Sequence, residues 1–209
     1  MAYEADQGLS YGDLEALASH VREALDISPT TALPVMSLFE QLDKIEITVD
    51  GRDISLNYAV EEQEREGQSY YDSKRQCIMV TLSDDTYEGI EQGRPRASFT
   101  AAHEIGHPLC HPKLLMSLPY MPHEMMTLMR GSANHPKFRD TEWQANGFAA
   151  ALLAPAEALA ALEREGRLRP GELVVGFNMS RQCAEYRVDN YRRFRAALLA
   201  GAARGKRMV

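Results

Sequence analysis

The chain has 209 residues, of which 44% are hydrophobic and 25% charged, and its formal net charge is −7 at pH 7. This length buries a real core without disulfide or metal staples, and the composition is ordinary for a globular protein. No apolar run reaches the ~18 residues of a membrane span, which excludes a membrane protein. Three cysteines and a polar start without a signal peptide predict a cytoplasmic protein with free thiols.

The first half of the chain is predicted to contain two helices and then short strands. Residues 10–25 carry an apolar stripe at helical spacing behind a Ser10/Asp13 cap, and a linker at 29–33 precedes a second helix at 34–44. The charged stretch 61–68 is predicted to be a mobile loop. Three stretches have the composition of strands: 45–49, 54–59 and 76–82.

The second half is predicted to be helical. Helical stretches are expected at 97–109, from 141 onward, at 155–165, and twice after Pro170. Helices around a small antiparallel sheet give an α+β fold.

The segment H-E-I-G-H at residues 103–107 carries the strongest chemical signal. On a helix, His103 and His107 lie about 40° apart and project from one face, where they can share a metal ion. Glu104 is placed beside them to reach a water, whose pKa zinc lowers toward ~7, and to take its proton. The alternative is a surface helix with two solvated histidines.

A catalytic zinc site needs a third protein ligand. The H-E-x-x-H-x-x-G-x-x-H extension fails, because Cys110 and Lys113 occupy its glycine and final histidine positions. The other scheme takes a glutamate from a later helix, and Glu142 fits it. The alternative for Glu142 is an ordinary first-turn glutamate favoured by the helix dipole.

The surroundings of Glu142 favour the ligand role. Thr141 and Gln144 form a T-x-x-Q pattern that predicts a capping box at the start of this helix. Asn146 shares a face with Glu142 and is predicted to orient a metal-bound histidine. Ala145 and Ala149 are small enough to let the two helices approach closely.

Two segments resemble the ImmA/IrrE family of metallo-endopeptidases. The likeness is carried by R-A-S-F-T-A-A-H-E-I-G-H at 96–107 and E-W-Q-A-N-G-F-A-A-A-L-L-A-P at 142–155. A weaker similarity at 34–83 and around 177–180 extends the likeness to residues 30–190 in all. The resemblance implies a zincin-like domain with His103, His107 and Glu142 as metal ligands and Glu104 as general base. We expect this domain at 29–166, after an N-terminal helical segment at 1–28 and before a basic C-terminal segment at 167–209.

The chain departs from that family at and after Pro108. Proline cannot donate to the Glu104 carbonyl, so it is expected to kink or end the helix there. The stretch 112–140 is long and contains five methionines, at 116, 121, 125, 126 and 129. It is either a substrate-facing flap or a methionine-filled satellite core under a long loop.

Other polar residues near the motif have open roles. His111 lies two helical turns from His103, but the nearby prolines argue against direct ligation and leave it as a neighbour of the ligands or a solvated residue. Tyr120, His123 and His135 are the candidates for stabilising an oxyanion, and the sequence does not choose among them.

The C-terminal segment is basic. From residue 167 onward ten Lys/Arg face three Asp/Glu, a net of +7, so the preceding residues carry −14. The stretch 174–194 is similar to half of a helix-turn-helix, with residues 178–187 as its recognition helix. DNA binding is one hypothesis; docking on the acidic body, binding of an acidic partner and simple solvation are the others.

These observations predict a zinc-dependent endopeptidase acting on a specific protein. The family resemblance implies a helix-turn-helix repressor of a mobile element or stress regulon as substrate. Two histidines and a carboxylate also accept Mn²⁺ or Fe²⁺ in place of Zn²⁺. The alternative functions are a non-proteolytic regulator or toxin–antitoxin component that binds a partner, and a DNA-binding factor with a structural metal.

Overall fold

The computed structural model describes residues 4–5, 7–118 and 136–207. The described helices, in chain order, are α1 Tyr11–Ala24, α2 Val35–Phe39, α3 Asp84–Glu91, α4 Pro95–Cys110, α5 Pro112–Ser117, α6 Thr141–Leu153, α7 Ala156–Arg164, α8 Pro170–Phe177 and α9 Arg181–Gly205. The strands are β1 Glu46–Val49, β2 Arg52–Glu61, β3 Gly67–Asp72 and β4 Cys77–Ser83. Short 3₁₀ turns occupy Leu42–Lys44 and Lys137–Arg139.

The four strands form one sheet in the order β1-β2-β4-β3. The α+β class is confirmed, but the sheet is mixed: the outer pairs are antiparallel, whereas β2 and β4 are parallel. The prediction of an antiparallel sheet is wrong at this central pair, because the chain crosses to the far edge to form β3 before returning as β4. Part of the predicted loop at 61–68 therefore belongs to β3, an edge strand that the sequence analysis missed.

Several predicted helices are confirmed with small changes in their bounds. Helix α1 begins with the predicted capping box, in which the Ser10 hydroxyl accepts from the Asp13 N–H and the Asp13 carboxylate accepts from the Ser10 N–H. The helix predicted at 34–44 is shorter, since α2 ends at Phe39 and a 3₁₀ turn follows. Helix α4 does not end at Pro108 but continues to Cys110.

Two groups of buried apolar side chains form the interior. The larger group joins the sheet to α1, α2, α4 and α6, and the smaller group joins α7, α8 and α9. Helices α1 and α9 pack along each other, which brings the two ends of the described chain together. The division of the chain at residues 28 and 166 stays a prediction.

Among the described residues, no single helix has both the length and the apolar content to cross a membrane. Helices α6 and α7, taken together across a bend of 49°, reach that length and composition.

Candidate active site

The site lies where α4 meets α6. The close approach depends on small residues: a Cβ added at Gly106 would lie 3.0 Å from Phe148 Cδ1 and 3.3 Å from the Ala145 Cα. Ala145 is fully buried at this contact. The predicted close packing of the two helices is therefore confirmed, and it brings their polar faces to one point.

The N-cap of helix α6 lies one residue before the predicted one. The Asp140 carboxylate, rather than Thr141, accepts a hydrogen bond at the N-cap, from the Trp143 N–H at 2.9 Å. Gln144 does not close a capping box, because its amide donates to the carbonyls of Gln7 and Phe138. The predicted Thr141/Gln144 box is wrong, since a buried glutamine found tertiary partners that local spacing does not reveal.

The structure brings together the three predicted metal ligands. The His103 and His107 Nε2 atoms lie 3.1 Å apart, and the Glu142 carboxylate oxygens lie 3.3 Å from His103 Nε2 and 3.9 Å from His107 Nε2. Tetrahedral zinc with bonds of about 2.0–2.2 Å holds its ligand atoms about 3.3–3.6 Å apart. This donor set therefore fits a zinc-sized cation, and it is the kind of set that leaves one position open.

Each histidine is oriented by a neighbour on its other ring nitrogen. His103 Nδ1 lies 3.0 Å from the Asn146 Oδ1, and His107 Nδ1 lies 2.7 Å from the His111 Nε2. Because the amide oxygen only accepts, the proton of His103 belongs on Nδ1 in this contact and the Nε2 lone pair faces Glu142 and His107. His111 is buried and contacts a ligand candidate without joining the set.

The titration of these groups suits metal binding. Burial and the charge of His103 hold the pKa of His107 well below its usual range, which keeps its imidazole neutral. Burial alone would raise the pKa of Glu142, but the hydrogen bond with His103 and the charge of His107 outweigh it and lower the pKa to about 2. Burial alone would also lower the pKa of His103, but the hydrogen bond with Glu142 raises it.

Glu104 lies beside the donor set and is buried, with 9% of its surface exposed. Burial raises the pKa of its carboxyl to about 7, even though the charge of His103 acts in the opposite direction. A carboxyl with this pKa accepts and returns a proton near neutral pH, as a general base must. The Ser69 hydroxyl lies 3.1 Å from the Glu104 Oε2.

The donor set opens into a groove of about 1100 Å³, defined by described residues alone. One wall is β3 and another wall is aromatic. The Tyr11 ring contacts the Trp143 ring in a tilted arrangement, with 4.7 Å between centroids, and the Tyr11 hydroxyl lies 2.9 Å from that of Tyr186. Neither β3 nor this aromatic wall was predicted from the sequence. The alternation of Gln68, Ser69 and two tyrosines could have indicated the strand, but nothing local relates Tyr11 to Tyr186.

Some predicted residues lie outside the described part of the chain. These are the oxyanion candidates Tyr120, His123 and His135, and the methionines at 121, 125, 126 and 129. The choice between a flap and a satellite core for this stretch stays open. Met116 is described and packs at the edge of the larger core.

The basic C-terminal segment pairs with acidic side chains. Eight of its ten basic residues, all of which are described, form ion pairs. Five of these pairs reach acids of the preceding chain: Arg167–Glu165, Arg187–Glu15, Arg195–Glu163, Arg204–Asp13 and Lys206–Glu157. The contacts fit the hypothesis that this helix docks on the acidic body, and DNA binding by the segment stays a prediction.

Comparison with known proteins agrees with the two motifs. Residues 90–189 match the peptidase M78 family, described as an IrrE N-terminal-like domain. The match spans both motif segments and both helices of the site, whereas the weaker similarity noted before residue 84 lies outside it. Comparison with curated proteins finds no match. Residues 90–189 thus match an IrrE N-terminal-like domain, which supports the assignment of this part of the chain to the ImmA/IrrE family of metallopeptidases.

Proposed function

We propose that the protein is a zinc-dependent endopeptidase that cleaves a peptide bond in a specific protein substrate. The observation that carries the proposal is the geometry of the donor set: one ligand atom from each of His103, His107 and Glu142 lies within 4.8 Å of the others, and the Glu104 carboxylate is buried beside them. A protein that only binds a partner has no physical need for a buried base at such a place.

In this proposal His103 and His107 hold the metal through Nε2, and Glu142 holds it through its carboxylate. When bound, the metal supplies a Lewis acid that polarises the scissile carbonyl and acidifies a water. The Glu104 carboxylate would take the proton of the attacking water and later return it to the amine of the leaving peptide. Asn146 orients the His103 ring and His111 orients the His107 ring, each through a contact to Nδ1.

The groove supports a peptide rather than a small molecule as substrate. Its volume of about 1100 Å³ exceeds the roughly 300–1,000 Å³ of ordinary small-ligand pockets. It runs between an edge strand and an aromatic wall, so both backbone and side-chain recognition are available. The resemblance to ImmA/IrrE proteins suggests a helix-turn-helix repressor as the substrate.

The test compares new protein termini in host cells that make the wild type or Glu104→Ala, under induction and stress. A terminus that forms only with the wild type establishes proteolysis and identifies the substrate. If both folded, metal-loaded proteins give the same termini, the proposal fails and a regulator that acts by binding replaces it. Chelation followed by return of Zn²⁺, Mn²⁺ or Fe²⁺ to the purified protein then identifies the metal that restores cleavage.

A further inference from the structure

Pro108 leaves the carbonyl of Glu104 without its helical donor. In an α-helix that carbonyl accepts from the N–H four residues later, and proline has none. The Ser69 hydroxyl, which comes from β3, donates to this carbonyl at 2.8 Å. The same Oγ lies 3.1 Å from the Glu104 Oε2, so one side chain of the sheet contacts both the backbone and the carboxylate of the proposed base.

The neighbouring position on β3 restricts the rest of the Glu104 side chain. Gly67 and Ser69 project from the same face of the strand, because side chains alternate along it. A Cβ added at Gly67 would lie 2.8 Å from the Glu104 Cγ and 3.1 Å from the Leu82 Cδ2. Pairing of β3 with the fully buried strand β4 holds this face in place, with Gly67 opposite Leu82 and Ser69 opposite Val80.

We propose that Ser69 is a positioning residue for Glu104. Its single hydroxyl hydrogen is shared between the Glu104 carbonyl, which Pro108 leaves without a helical donor, and the Glu104 Oε2, and this shared contact holds the carboxylate in the orientation that proton transfer requires. Gly67 leaves the space that this orientation needs. The proposal rests on the proposed function, since it assigns a role toward the base of that reaction.

A purely structural role for Ser69 would be to satisfy a buried carbonyl, and the chain offers a way to separate the two. Pro108→Ala returns an N–H to the Glu104 carbonyl without touching the carboxylate. In the metal-free protein, Ser69→Ala should lower the unfolding midpoint by about 2–4 °C, the equivalent of one hydrogen bond in a chain of this size. In the Pro108→Ala background the same change should lower it less, which shows that the carbonyl has regained a donor.

The deciding measurement asks whether the carboxylate is still held once the carbonyl is satisfied. The Co²⁺-loaded variants are titrated with acetohydroxamic acid, followed by visible absorption. This chelator places an O–H beside the base, so its affinity reports the position of Glu104 without turnover, and Glu104→Ala sets the full loss. We expect Ser69→Ala/Pro108→Ala to bind the probe about tenfold more weakly than Pro108→Ala, the worth of one charge-assisted hydrogen bond.

Two further variants complete the test. Ser69→Thr in the Pro108→Ala background keeps the hydroxyl and should restore binding, and Gly67→Ala should weaken binding by displacing Glu104 Cγ. Metal affinity should be equal across the set. Equal probe affinity of Ser69→Ala/Pro108→Ala and Pro108→Ala would overturn the proposal, as would full binding by Glu104→Ala. Because none of these readouts needs a substrate, they stand even if cells show no proteolysis.

Discussion

Two of the glutamates in the described part of the chain, Glu15 and Glu104, are buried, and their surroundings differ. Glu15 of α1 accepts hydrogen bonds at 2.6 Å from both the Arg187 guanidinium and the Ala156 N–H, and Arg187 also donates to the Ala154 carbonyl. The Glu104 carboxylate instead faces the groove and is contacted by a neutral hydroxyl at 3.1 Å. Both side chains lose water on folding, and burial raises the pKa of both carboxyls, but only Glu15 has an arginine partner and a backbone donor that oppose the shift.

The difference shows how burial serves structure in one place and chemistry in the other. The Glu15–Arg187 pair ties α1 and α9 to the corner between α6 and α7, and its oxygens are engaged. At Glu104 the uncompensated burial raises the carboxyl pKa to about 7, which is the property a general base uses. A buried acid with its partners satisfied is a structural feature, whereas one left short of partners beside metal-binding side chains is a candidate for catalysis.

The largest expected effect is on cleavage activity and tests the role of Glu104. Glu104→Gln keeps the size of the side chain but cannot accept the proton, so cleavage of the substrate identified in cells should fall by about 10²–10⁴-fold. Metal content and the unfolding midpoint serve as controls. A loss of less than tenfold in a folded, metal-loaded variant would remove Glu104 from the role of base.

The next largest effect is on stability and tests the role of Glu15. Arg187→Met leaves Glu15 buried and unpaired, so the free energy of unfolding should fall by about 3–5 kcal/mol in urea denaturation. Adding Glu15→Gln removes the charge and keeps an acceptor for the Ala156 N–H, so this double variant should regain more than half of the loss. If it regains nothing, the shape of the arginine rather than its charge holds the corner together.

The pH dependence of stability should show that Glu104 is the uncompensated acid. Its carboxyl pKa is about 7 in the folded chain against an ordinary value of 4.5, so the folded state holds the proton over that interval. The contribution of Glu104 to the stability of the metal-free protein, measured as the difference between the wild type and Glu104→Gln, should therefore fall as the pH rises from 4.5 to 7. Glu104→Gln removes this contribution, and at pH 8 it should be more stable than the wild type by about 1–3 kcal/mol. Equal stability of the two proteins at pH 8 would show that Glu104 is solvated or paired after all.

The smallest effect tests whether burial, rather than the mere presence of an ion pair, makes Arg187 important. Arg204 pairs with Asp13 at 2.6 Å across the same two helices, but both side chains are about half exposed. Arg204→Ala should cost less than about 1 kcal/mol, because water screens an exposed pair. Repeating the denaturation in 1 M salt should shrink this cost further, and a cost equal to that of Arg187→Met would contradict the comparison.

Much of the candidate site could be predicted because it depends on spacing along helices. His103 and His107 are one turn apart, and Glu142 and Asn146 repeat that spacing on the second helix. The structure brings these four side chains together without any adjustment of the pattern. The ligand and base roles themselves stay proposals until the metal and the reaction are measured.

Contacts between distant segments could not be predicted in the same way. The N-cap of α6 is Asp140, whose carboxylate accepts from the Trp143 N–H. Gln144 forms no capping box because its amide donates to the carbonyls of Gln7 and Phe138. The contact of His111 with His107 required the helix to continue past Pro108, which local rules for proline disfavour. In each case a contact that local sequence rules do not include decided the structure.

The sequence by itself determined the fold class, the helices of the site and the pairing of histidines with a glutamate, since side-chain periodicity and backbone preference act over a few residues. Only the tertiary structure decided that β4 lies between β2 and β3, and hence that the edge strand β3 places Ser69 against Glu104. The physical reason is that strand order depends on the free energy of burying a whole sheet face against helices, and no short window of sequence contains that quantity.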